Sequence, residues 1–91
     1  MNPISNIPHL SELLSKNKKW PLQYMFKFIV PNIGNNVQTV VGLLPNHGTI
    51  SYNHTPNLRY VSVTCVASMP SADSIVDITN QVTAINGVMA L

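Results

Sequence analysis

Charge is what this chain has least of. Five basic and three acidic residues among 91 make 9%, where a soluble domain usually carries about 25%. So few charges leave much of a monomer's surface undecorated, which favours self-association. The excess of base is only +2, and three of the five bases, Lys16, Lys18 and Lys19, stand together near the N-terminus. That leaves no basic stripe of the kind that holds nucleic acid by its phosphates. Cysteine is almost absent. Cys65 alone excludes an internal disulfide, and His9, His47 and His54 are too scattered to complete a metal set or a nucleophile–base pair with it. No metal, cofactor, catalytic residue or enzymatic activity is expected. Long apolar runs are missing as well: nothing approaches the ~18 residues of a membrane span, and the first twenty residues lack the charged start and apolar middle of a signal peptide. The expected compartment is the cytoplasm, with no membrane partner.

What is present is β patterning. Leu58 to Ser68 (LRYVSVTCVAS) is the most β-prone run. Its Val61, Val63, Cys65 and Ala67 alternate with Tyr60, Ser62 and Thr64, so one face is core and the other open. Leu22 to Val30 repeats the pattern, with Leu22, Tyr24, Phe26, Phe28 and Val30 on the core face and Gln23, Met25, Lys27 and Ile29 opposite. Thr49 to His54 is short and polar, as suits a sheet edge, and Val88 to Leu91 reads as a last short strand.

Between the strands lie two helical stripes. Ile33, Val37, Val40, Val41 and Leu44 are spaced for one side of a helix over Ile33 to Leu44 that Asn32 caps and Pro45 ends. Ile75, Ile78, Val82 and Ile85 line a second, over Ser71 to Ile85, with Ser71 as cap, Asp73 in the first turn and Gly87 as its left-handed stop. Ahead of all these, Pro8 to Ser15 places Leu10, Leu13 and Leu14 on one side of a short helix, which the lysines follow.

The order is β-α-β-β-α-β behind an N-terminal helical extension. Two amphipathic helices can both bury their stripes only by covering one face of a four-stranded antiparallel sheet, and right-handed crossovers then put the first and third strands at the centre. The expected fold is an α+β, ferredoxin-like sandwich over residues 20–91, with residues 1–19 as the extension.

Three segments also resemble the bacterial YbeD-like family, a domain family of unknown function: WPLQYMFKFIV (Trp20 to Val30), RYVSVT (Arg59 to Thr64) and INGVMAL (Ile85 to Leu91). Met1 to Lys19 lies outside the match. Where that family usually has Gly-Lys before the tyrosine, this chain has Leu58-Arg59. The family is similar in fold to ACT domains, regulatory modules that dimerise and bind amino acids or like effectors. The resemblance therefore implies a non-catalytic regulatory or adaptor role, a homodimer, and a protein partner or a small anionic or amino-acid-like effector. The ACT ligand loop joins the first strand to the first helix, and Pro31-Asn32-Ile33-Gly34 is a turn of that kind. Asn32 stands where ACT domains often carry an aspartate.

Two sets of candidate site residues follow. Asn32, Gly34, Asn35 and Asn36 form the first loop, where backbone N–H groups at a helix start present partial positive charge to an anion. Lys27, Arg59, Tyr60, Ser62 and Thr64 form the polar part of the open sheet face. A phosphate-binding or small nucleic-acid-binding protein is the alternative, since acylphosphatases and RNA-recognition motifs share the strand order. Against it, the loop Pro31 to Asn36 has no basic residue, Arg59 is expected at the opposite end of the third strand, and one tyrosine makes no stacking platform.

Overall fold

The computed structural model describes residues 19–91, so the expected helix over Pro8 to Ser15 lies outside the described residues. Six elements follow: β1 (Leu22–Pro31), α1 (Asn36–Leu43), β2 (Thr49–His54), β3 (Tyr60–Met69), α2 (Ala72–Thr83) and β4 (Met89–Ala90). They build one four-stranded antiparallel sheet in the order β2-β3-β1-β4, the ferredoxin-like α+β arrangement expected from the periodicities. The two longest and most apolar strands hold its centre because each must be flanked on both sides.

Pairing in register sets the core. Phe26 faces Cys65, Phe28 faces Val63 and Val30 faces Val61 across the β1–β3 seam, so large side chains on one strand meet small ones on the other. Phe26 and Phe28 stack with ring centroids 6.3 Å apart, and Tyr24 meets Phe26 edge-on at 4.9 Å. Val40 and Leu44 from the α1 end, and Ile75 and Val82 from α2, close over these rings. Burying each of them contributes about 1.5 to 3 kcal/mol. At the turn into β2 the chain presses against β3. A Cβ on Gly48 would lie 2.5 Å from Cys65 Sγ, so only glycine lets the backbone approach that closely.

The helix ends depart from expectation. α1 begins at Asn36 rather than Ile33. Asn35 takes the capping position without a side-chain bond, so Asn32 does not cap the helix. Ile33 is 72% exposed, outside the stripe that its spacing from Val37 had indicated. α2 behaves as its capping signals require: Ser71 Oγ accepts from Ser74 N at 3.2 Å, while Ser74 Oγ donates to the Ser71 carbonyl at 2.7 Å. It ends at Thr83 rather than Ile85. Gly87 does adopt a left-handed φ of 83°, but in a separate turn closed by Val88 N–H on the Ile85 carbonyl at 3.1 Å. β4 is correspondingly short, two residues instead of four, and β3 extends to Met69, which is buried.

Both helices pack on one side, so the other side of the sheet is bare among the described residues. Its rows follow from the registers: Thr49, Val66 and Met25; then Ser51, Thr64 and Lys27; then Asn53, Ser62, Ile29 and Met89. Tyr60 and Pro31 pair at one end, and Ser68 and Gln23 near the other.

Candidate functional site

The end of the sheet where β1 stops and β3 starts gathers most of the candidate residues. Because the two strands run antiparallel, Pro31 pairs with Tyr60, and the loop that leaves β1 lies beside the hairpin that feeds β3. Two bonds tie them: Asn32 N–H donates to the Arg59 carbonyl at 2.8 Å, and Asn32 Nδ2 donates to the Leu58 carbonyl at 3.0 Å. Asn32 thus spends its side-chain amide on the hairpin instead of on the helix start. This corrects the placement of Arg59, which stands next to the first loop and not remote from it.

Local chemistry fixes the hairpin. Thr55-Pro56-Asn57-Leu58 is a tight turn closed by Leu58 N–H on the Thr55 carbonyl at 2.9 Å, with proline in its favoured second place. Asn57 Oδ1 accepts from Thr55 Oγ1 at 2.8 Å and from Arg59 N at 3.0 Å. Leu58 follows in the left-handed region, φ 59°, the position that glycine usually takes after such a turn. On the other loop, Gly34 also has positive φ, 56°. Asn36 Nδ2 folds back onto the Pro31 carbonyl at 3.2 Å, and the Asn35 carbonyl accepts from Thr39 N and Thr39 Oγ1.

Between loop and hairpin lies an open cleft of about 470 Å³ lined by Pro31, Asn32, Ile33, Leu58, Arg59 and Tyr60, within the usual size of small-molecule sites. Its one formally charged group is the Arg59 guanidinium; no carboxylate lines it. Both acids among the described residues, Asp73 and Asp77, lie on α2, which follows the opposite end of β3. The cleft therefore offers one fork of cationic donors among apolar walls, an arrangement that suits a small organic anion.

Of the first candidate set, Asn32 lines this cleft, whereas Gly34, Asn35 and Asn36 do not. Of the second, Arg59 and Tyr60 line it. Lys27 and Thr64 sit opposite each other farther along the open face, and Ser62 faces Ile29. Three lining residues stand outside the two candidate sets: Pro31 and Ile33, named with the ACT-like turn, and Leu58, named as the departure from the family's Gly-Lys. The four-residue step to Val37 fits Ile33 to the helix, but Gly34-Asn35-Asn36, a run of turn formers, follows it and the helix starts only at Asn36.

Three further groups, Cys65, Tyr24 and His47, are engaged in the fold. Cys65 is buried in the core, and desolvation pushes its thiol up from the ordinary value, which suppresses the thiolate and with it reactivity. Burial raises the Tyr24 phenol in the same sense. His47 Nε2 bonds with the Ser68 carbonyl at 2.9 Å, fastening the turn after α1 to the end of β3. Among the described residues no three of His, Cys, Asp and Glu gather where a metal could be held, and no helix is long and apolar enough to cross a membrane. No family model, curated protein or solved structure matches the chain.

Proposed function

We propose that this chain is a non-catalytic regulatory module that takes a small organic anion, amino-acid-like in size, in the cleft between the β1–α1 loop and the β2–β3 hairpin, and that works as a homodimer. One observation carries the ligand site: Asn32 bonds to the Arg59 and Leu58 carbonyls, bringing the only arginine of the chain to the loop after β1. Arg59 supplies a bidentate partner for a carboxylate or phosphate, while Ile33, Leu58 and Tyr60 wall the apolar body of the ligand. The resemblance of the strand segments to the YbeD-like family, and of that family to ACT domains, favours the same reading.

Amide chemical shifts of the intact protein, followed during titration with glutamate, phenylalanine and inorganic phosphate in turn, test it. Saturable shifts at Asn32 to Asn36 and Leu58 to Tyr60 are expected for at least one probe. Arg59→Gln is expected to weaken that binding about tenfold or more, the effect of removing a hydrogen bond to a charged group, about 1.5 to 3 kcal/mol. Saturation by phosphate alone supports the phosphate-binding alternative. No saturable shift at these residues with any probe refutes the ligand site.

A further inference from the structure

The cleft between the β1–α1 loop and the β2–β3 hairpin offers charge of one sign only, and this narrows what it takes. Resting on the reading of that cleft as a ligand site, we propose that its ligand is an apolar monocarboxylate without an ammonium group, such as an arylalkanoic or 2-oxo acid, in preference to the amino acid of the same shape. An amino acid brings two charges, and only one of them finds a partner here. Its carboxylate meets the Arg59 guanidinium, which bonds to no other group among the described residues: Arg59 is held through its backbone, by N–H on Asn57 Oδ1 and by the carbonyl that accepts from Asn32 N.

The ammonium needs an anion or free acceptors, and the cleft is poor in both. No carboxylate lines it. Most of its backbone carbonyls are already engaged: that of Pro31 accepts from Ile33 N and Asn36 Nδ2, that of Ile33 from Asn36 N, that of Leu58 from Asn32 Nδ2, that of Arg59 from Asn32 N, and that of Tyr60 from Thr55 N and Thr55 Oγ1. The amide oxygen and the carbonyl of Asn32 are left, and neither carries a formal charge. The ammonium also stands close to the guanidinium, because a single carbon joins it to the carboxylate that Arg59 holds. At about 6 Å two like charges weaken binding about threefold through bulk water, and by more in the lower dielectric of a protein surface. An acid with no charge beside its carboxylate avoids both penalties. Its apolar part lies along Ile33, Leu58 and Tyr60, exposed side chains of the cleft, and gains from their removal from water.

Probes that share a ring and differ only in charge separate these effects: 3-phenylpropanoate carries the carboxylate alone, phenylalanine both charges, and 2-phenylethylamine the ammonium alone. Amide shifts of the intact protein at neutral pH are followed at Asn32 to Asn36 and Leu58 to Tyr60. 3-Phenylpropanoate is expected to saturate them with a dissociation constant at least about threefold below that of phenylalanine. Propanoate, which lacks the ring, is expected to bind several-fold more weakly than 3-phenylpropanoate, and 2-phenylethylamine to give no saturable shift. In Arg59→Gln the preference for 3-phenylpropanoate over phenylalanine is expected to fall toward one. Arg59 is exposed, and unchanged amide shifts at buried Phe26 and Val63 show that the variant is folded. Phenylalanine binding as tightly as 3-phenylpropanoate, saturation by the amine, or a preference that survives Arg59→Gln overturns the proposal while leaving the cleft a ligand site. Propanoate binding as tightly as 3-phenylpropanoate overturns the apolar class of the ligand. No saturable shift with any of the four probes overturns the proposal, and titration with inorganic phosphate then shows whether the cleft itself stands as an anion site.

Discussion

At the scale of the residue, Leu58 is the clearest case of a side chain out of place. Its φ of 59° is left-handed, and its side chain is 62% exposed, so packing returns little for the conformation. An L-residue in that region costs roughly 1 to 2 kcal/mol, and glycine there loses about 0.4 to 1 kcal/mol through the freer unfolded chain. Leu58→Gly is therefore expected to stabilise the fold by up to about 1 kcal/mol, read as a higher midpoint in urea at unchanged slope. A lower midpoint would mean that Leu58 earns its conformation through contacts in the cleft. Cys65 makes a second prediction. Burial raises its thiol, so the folded state keeps a proton that the unfolded chain releases. Below the ordinary thiol value, about 8.5, both states are protonated and the stability is fully present. As pH rises through the window between the ordinary and the raised value, ionisation favours the unfolded chain and stability falls. Urea midpoints from about pH 7 to 9.5 should decline in the native protein and stay nearly level in Cys65→Ala, which has no thiol to ionise.

At the scale of the element, the two helices differ in how their first turns are held. Ser71 and Ser74 exchange bonds at the start of α2, whereas Asn35 makes no side-chain cap at the start of α1. Ser71→Ala is expected to cost about 1 kcal/mol, and Asn35→Ala less than about 0.5; equal losses in thermal or urea unfolding would count against this contrast. The same contrast marks what was legible in the sequence. α2 carries its own punctuation, a serine followed by an acid in the first turn and a stripe at helical spacing, so local chemistry sufficed. The face assignment of β1 and β3 was equally legible, because strict alternation records burial directly. The start of α1 was not, since Ile33 falls four residues before Val37 and fits the stripe by spacing alone. What removes it from the helix is Asn32, held by carbonyls 26 and 27 residues along the chain, and no local pattern encodes that. The placement of Arg59 lay within reach, because antiparallel pairing of the first and third strands brings the end of one to the start of the other.

At the scale of the whole molecule, low charge and an open sheet edge bear on association. β2 lies at one end of the sheet, and its residues Thr49 to His54, all exposed except Ile50, include no lysine, no acid and no proline. These are the usual means by which an edge strand is kept from pairing with another copy. The partner strand β3 holds one side of β2 along its whole length, so the outer side is what a second molecule would meet. Antiparallel β2–β2 pairing about a two-fold axis satisfies that row of backbone groups in both copies at once and joins two four-stranded sheets into one of eight. Sedimentation of the intact protein is accordingly expected to show a dimer. Ser51→Lys/Asn53→Lys, two exposed positions on the open face of β2, should convert it to a monomer while changing the unfolding midpoint little, because charge on an edge opposes edge pairing without entering the core. A native protein that sediments as a monomer rules the edge dimer out. A dimer that survives both lysines moves the contact to another surface.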